Sequence, residues 1–558
     1  MKNQQKGLPR REFISSTLAG IGLISIPNIP LLGNELPKTE TPISVEKSGT
    51  PPKKPKFKIA DGLYDPTWDS LRKHYKCPDW FRDAKLGFWA HWGPQSQSGG
   101  GDWYTREMYI EGSRQYKHHL KKYGHPSKHG VKDIMCSWKA ENFDPESLIK
   151  LYKEAGAQYF ACMVNHHDNF DNWDSKYQPW NTLNIGPKKD ICGLWAEAAR
   201  KQGLKFGVTV HGTPDRIWNE FMPAWYGSDK EGPLKGVPYD GAVVTKADGK
   251  GTQWEGLDPR DLYGPIHKQN DPGPELIQNV LLRVDDLIRK YSPDLLYFDT
   301  TIYHSADINK EMRLDAMLGI PDYITQIAAH YYNLSLTQHK GAMEAVLNVK
   351  GVADRPYPGA LLSPAVVNDF EFNDPDKPYP DPWQCDTSIG SWHYVDNDHY
   401  RSVTEVVGDF INIVANNGCM LLNIPIKGDG TMDQGQQDFV RDFGVWMNIN
   451  KKAIYGSRPC RVATEYFKGP KEKKQRINLT QSKDGNTVYA ISLVWPDEGR
   501  LLIRSLGKET EKARKIAKVS LLGYSGDLKW EQQDPGLFIE LPANKPCEHA
   551  WSFVVDFL

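Results

Sequence analysis

No two cysteines stand close enough to form a motif. The eight (77, 136, 162, 192, 385, 419, 460 and 547) are scattered over 558 residues, with no C-x-x-C pair and no zinc-ligand spacing. That excludes a dithiol redox motif and a zinc-ribbon framework. Cys162 and Cys192 lie in apolar contexts and read as buried free thiols. Charge of either sign is not in excess: Lys+Arg total 69 and Asp+Glu 70. No bulk field therefore draws the chain to nucleic acid or to a membrane surface. No glycine-rich nucleotide loop follows any apolar run, which disfavours a dinucleotide-binding sheet. No apolar stretch matches the about 20 residues of a spanning helix; the nearest, Ile14 to Gly33, is broken by Pro27 and Pro30.

Aromatic residues, by contrast, are plentiful: 18 Trp and 26 Tyr. They are core residues first, and flat rings also suit the C–H faces of sugars. The length predicts two folded units plus a leader. At the N-terminus, Arg10-Arg11-Glu12-Phe13 before a weakly apolar segment resembles a twin-arginine signal. Residues 1–33 are thus expected to be a signal segment for export to the periplasm or beyond, without stable membrane insertion. Residues 34–58, rich in Pro, Lys, Thr and Glu, read as a linker.

From residue 59 to 454, helix and strand signals alternate. Asp144-Pro145 is a helix start, with Asp as N-cap and Pro at the first helical position. Asp190 and Pro274 open further helices, and each precedes an apolar run. The repetition predicts a TIM-like (β/α) barrel, with a doubly wound open sheet as the alternative. Residues 455–558 change texture. Asp484-Gly485-Asn486 is a hairpin signal, and short alternating runs follow, predicting a C-terminal β-sandwich.

Four apolar runs end in chemistry-bearing residues. KLGFWAHW reaches His91, YFACMVNHHD reaches His166-His167-Asp168, KFGVTVHG reaches His211 and DLLYFDT reaches Asp299. Barrel enzymes carry their catalytic groups at the C-terminal ends of parallel strands. A carboxylate at such a place, beside aromatic walls, suits attack on a sugar carbon, which also calls for a second carboxyl.

Several segments in order carry a resemblance: Trp80 to Gly87 with His91-Trp92-Gly93, Asn165 to Phe170, Trp173 to Tyr177, Asn184 to Pro187, Leu295 to Asp299, and Asn416 to Gly430. Together they resemble the family 29 glycoside hydrolases, the α-L-fucosidases. The resemblance implies a barrel followed by a β-sandwich, no cofactor, a fucosylated glycan as substrate and retention of anomeric configuration. It makes Asp299 the nucleophile. It places His91, His166 and His167 on the sugar hydroxyls, and Asp102 and Trp103 where the family usually has Glu-Trp. Tyr297, His211 and Lys350, the last where Arg is common, would contact the substrate. Thr300 follows Asp299 where Gly is usual. For the acid/base, Glu371 is the first choice, with Asp374 and Asp386 as rivals. Trp383-Gln384 stands where the family often has Trp-Glu, and both are expected on the substrate; Gln384 cannot transfer a proton, though its amide can still hydrogen-bond in the site.

Three other readings follow from the same residues. Gln384 would suit a non-catalytic sugar-binding protein on this scaffold. The departures at Thr300 and Lys350 would suit a related sugar, such as an L-galactoside. A metal-dependent hydrolase would need both His166 and His167 on one ion, which adjacent strand residues manage only if the strand breaks there; no metal is expected.

Overall fold

The computed structural model describes residues 55–265, 273–301, 323–350, 364–372, 377–468, 474–510 and 513–558. The expected signal segment, nearly all of the linker and Asp374 lie outside them. Among the described residues no helix is long and apolar enough to cross a membrane.

Eight parallel strands close into a barrel in chain order. They are β1 (Leu86–Ala90), β2 (Tyr159–Asn165), β3 (Lys205–Val210), β4 (Leu295–Thr301), β5 (Val346–Lys350), β6 (Val367–Asp369), β7 (Trp383–Ser388) and β8 (Gly418–Asn423). Closure runs through β1, which pairs Gly87 with both Tyr159 and Leu421. Both faces of the strands are covered, which explains why they read as continuous apolar runs. Trp89, Tyr159, Ala161, Leu295, Tyr297, Val346 and Leu421 fill the barrel. Phe88, Phe160, Phe206, Leu296, Leu347 and Leu422 face the helices outside. Gly87 is obligatory here: a Cβ would lie 2.3 Å from the Tyr159 ring.

The helices start where the sequence signals them. Asp144 accepts from the Ser147 N–H at 3.1 Å and Asp190 from that of Gly193 at 2.9 Å. Ser402 with Glu405, and Asp433 with Gln436, form capping boxes for Val403–Ala415 and Gln434–Ile454.

After Ile454 the chain forms two antiparallel sheets. The five-stranded one has the order Ile516–Leu521, Trp551–Phe557, Thr487–Ser492, Lys474–Gln481, Arg458–Lys468; the three-stranded one has the order Arg500–Ile503, Gly536–Glu540, Trp530–Gln533. Leu479, Val488, Val519 and Phe553 of the first sheet share one apolar core with Leu501, Ile503, Leu537 and Ile539 of the second, which makes a sandwich. It docks on the barrel helices through Asn478 to Asn412 (2.9 Å) and Trp446 to the Ala550 carbonyl (3.0 Å).

One buried ion pair fixes the loop after β2, which carries two histidines of the site. Arg283, on the helix Gly273–Tyr291, donates to Asp171 (3.0 Å) and to Asn169 (2.7 Å), with both Arg283 and Asp171 buried. Asp171 also accepts from Asn165 at 3.1 Å. Removing one partner of such a pair strands the other charge, a loss of about 3–5 kcal/mol. Arg283→Ala should therefore lower stability by that order in urea unfolding; a loss under about 1 kcal/mol would show that the pair does not secure the loop.

Candidate active site

The C-terminal rim of the barrel collects a carboxylate cluster around one lysine. Strand β5 ends at Lys350 and β4 carries Asp299, whose pairing slips between Phe298 and Thr301. The Lys350 Nζ lies 2.5 Å from Asp299 Oδ1, 2.7 Å from Glu371 Oε2 and 3.9 Å from Asp386 Oδ2. Sharing one ammonium brings the two carboxyls close together, as retaining glycosidases, with about 5–5.5 Å between theirs, require.

Burial pushes the Asp299 carboxyl up, but the Lys350 ammonium and the His211 imidazole more than offset this and hold it well below the usual carboxylate range. Burial raises Glu371, and Asp386 and Asp299 add to this against the opposing pull of Lys350. Lys350 itself, despite a burial penalty, is held well above its ordinary value by Asp299, Asp386 and Glu371. A carboxyl pushed down beside one pushed up is the pairing double displacement needs. The Glu371 side chain is 36% exposed, so water reaches it.

His211 was expected to contact the sugar. Instead its Nδ1–H donates to Asp299 Oδ2 at 2.8 Å, and its Nε2 lies 3.1 Å from the Thr209 hydroxyl. Both ring nitrogens are engaged and the residue is fully buried, so His211 orients the carboxylate from below.

Tyr297 is buried beneath the same cluster. Its hydroxyl lies 3.0 Å from Asp386, 3.3 Å from Asp369 and 3.5 Å from Asp299. Gln384 is also fully buried: its amide donates to Asp369 at 2.7 Å and accepts from Tyr159 at 3.3 Å. It thus supports the floor and does not line the opening. Asp369 is pushed well up by burial and by Asp386. Asp386, the second rival, is buried at 1% exposure and accepts from the Tyr297 hydroxyl, whereas the Glu371 side chain is 36% exposed. Trp383 is placed elsewhere altogether. Its ring packs on Phe370 and Tyr379 in the outer layer and its indole N–H donates to the Asn416 carbonyl at 2.8 Å.

The histidines form a second group. Strand β2 stops at Asn165 with a register shift after Met163. The strand thus breaks before His166 and His167, whose rings approach to 4.4 Å. The His167 Nδ1 is tied to the His211 carbonyl at 2.5 Å. Burial lowers His91 and His166 well below their ordinary value and takes His167 to about 3, so all three are neutral hydrogen-bonding groups at neutral pH. Asp102 joins them, with its Oδ1 3.7 Å from His91 and 3.5 Å from His166. Trp103 stands edge-on to His167 at 5.6 Å.

His393 completes the group, its Nδ1 2.7 Å from Asp102 Oδ1. The sequence offered no strand signal to bring it here, because β6 is three residues long and the loop after β7 carries no periodicity. Asp369 and Trp392 went unnoticed for the same reason.

His91, Asp102, His166 and His393 each put a donor atom within 4.8 Å of the others, as do His166, His167 and His211. Histidines that hold a metal ordinarily donate their second N–H to a fixed acceptor. In the first set His91 Nδ1, His166 Nδ1 and His393 Nε2 have no hydrogen-bond partner among the described residues. Alternating donors and acceptors of this kind suit the hydroxyls of a polyol better than an ion.

Comparisons with known proteins identify the family and agree with the fold. Tissue alpha-L-fucosidase from Homo sapiens is 28% identical over 510 residues, covering 88% of this chain and 91% of that protein. Plasma alpha-L-fucosidase from Homo sapiens is 24% identical over 524 residues, covering 88% and 92%. The alpha-fucosidase of Thermotoga maritima superposes with a TM-score of 0.62 at 23% identity, over 88% of this chain and 100% of that one. A family 29 alpha-L-fucosidase from Bacteroides thetaiotaomicron, trapped as a covalent intermediate with a 2-fluoro-fucosyl group, gives 0.57 at 17% identity over 90% and 99%. The family descriptions alpha-L-fucosidase and alpha-L-fucosidase C-terminal domain match residues 54–452 and 471–556. The chain belongs to the alpha-L-fucosidase family of glycoside hydrolases.

Proposed function

We propose that the protein is an exo-acting, retaining α-L-fucosidase with Asp299 as nucleophile and Glu371 as acid/base. The observation that carries this reading is the placement of both carboxyls on the single Lys350 ammonium, with opposite protonation tendencies. Asp299 attacks the anomeric carbon while Glu371 gives its proton to the departing glycosidic oxygen. Glu371 then takes a proton from water, the water oxygen bonds to the anomeric carbon, and Asp299 leaves. His91, His166, His167 and Asp102 hold the sugar hydroxyls, and Trp103 walls the pocket. His211, Lys350 and Tyr297 act on Asp299 and the floor beneath it. A paired nucleophile and acid do not suit a sugar-binding protein without turnover. Hydrolysis of aryl α-L-fucosides beside aryl galactosides tests the reading: turnover of the fucosides should dominate, and preference for any galactoside would overturn it.

The pH dependence follows from the two shifts. The acid form of Glu371 is needed for leaving-group departure, and its raised pKa carries that form to higher pH. kcat/KM should hold there and fall on the basic side as Glu371 deprotonates, while the acidic fall reports Asp299. Glu371→Gln should flatten the basic limb. It should also cost poor leaving groups at least about 100-fold, against far less for acidic phenols. Equal losses across the series would remove Glu371 from the acid role.

The twin-arginine segment supports export as the destination. An Arg10→Lys, Arg11→Lys double variant should remain in the cytoplasm; normal export of that variant would contradict this route.

A further inference from the structure

Phe372 directly follows Glu371. The backbone there holds two ladder-like bonds to β7: Phe370 N–H to the Gln384 carbonyl at 2.9 Å and Phe372 N–H to that of Asp386 at 3.1 Å. Phe370 turns outward against Tyr379 and Trp383. Phe372 does otherwise. It adopts φ +49°, a left-handed conformation that a bulky aromatic side chain rarely takes. Its ring lies 5.4 Å from that of Trp392 and is 48% exposed. Strain at a residue next to the chemistry points to a use for its side chain there.

Trp392 links this ring to the sugar pocket. It packs on Trp89 at 5.3 Å and lies 5.6 Å from His91, tilted by 30°. Its carbonyl accepts from Asn423 at 2.9 Å, which fixes the loop to the end of β8. An aromatic wall therefore runs from the histidine group outward to solvent, and Glu371 stands beside its outer end. A group that leaves with the proton of Glu371 departs next to Phe372, its neighbour in the chain. An exposed aromatic ring offers it apolar surface of the kind that stacks on a pyranose face.

We propose that Phe372, backed by Trp392, forms the leaving-group subsite, and that the group it takes is a pyranose sugar presenting an apolar C–H face. This rests on the fucosidase reading above and adds the class of aglycone. It makes the enzyme selective for fucosyl-oligosaccharides over fucosides with small or charged leaving groups.

The test compares two substrates in wild type and Phe372→Ala: 2′-fucosyllactose, whose leaving group is a disaccharide, and α-L-fucosyl fluoride, whose leaving group is too small to reach the ring. The ratio of kcat/KM for the oligosaccharide to that for the fluoride should fall at least about tenfold in the variant, chiefly through KM. Phe372→Tyr, which keeps a flat ring, should restore the wild-type ratio. An unchanged ratio in Phe372→Ala, or failure of the tyrosine variant to restore it, overturns the subsite while leaving the fucosidase reading in place. Wild-type enzyme inert toward both substrates overturns the reading itself, and the subsite with it.

Discussion

One half-buried ammonium holds the carboxylate end of this barrel together. Lys350 contacts Asp299 and Glu371 and lies within 3.9 Å of Asp386. Burying a carboxylate without such a partner is costly, and the group ordinarily avoids it by taking up a proton. A protonated Asp299 is no nucleophile. Lys350, with His211 beneath, keeps it ionised where water is largely excluded. The same cation limits how far Glu371, the proposed proton donor, rises. A lysine supplies this as a point charge; it has no planar fork with which to clamp either carboxylate. Orientation of Asp299 therefore falls to His211, locked by Thr209.

The barrel imposes the rest. Parallel strands buried on both faces leave their polar ends to one rim, and the break in β2 turns two successive histidines into the same space. Burial keeps those histidines neutral, which makes them hydrogen-bonding partners rather than cations. Asp102 gathers His91, His166 and His393 from three different segments of chain. The loop behind the pair depends in turn on Arg283 and Asp171, so the histidine group is braced from outside the barrel.

Much of this was legible in the sequence, and the exceptions have physical causes. β1, β2, β3 and β4 are long apolar runs that end in His or Asp, so both the fold class and the first half of the site could be read. β6 and β7 could not, because a three-residue strand has no period and Trp383-Gln384-Cys385-Asp386 alternates with polar residues inside the barrel. Trp383 was misplaced for that reason: strand alternation turns its ring outward and puts the amide of Gln384 inside. His211 was read as a sugar ligand because sequence shows which residue ends a strand but not which neighbour claims its nitrogens. His393 carried no signal beyond its own identity, since it reaches Asp102 only through the closure of the barrel.

The central claim is that Asp299 becomes covalently bonded to the sugar. The most direct measurement is mass spectrometry after incubation with 2-fluoro-fucosyl fluoride, whose fluorine slows release of the glycosyl group. The account predicts one equivalent of label per chain, on the peptide that contains Asp299, with no labelling of Asp299→Ala. Label on another residue, or turnover with no adduct under conditions that slow the second step, would contradict it.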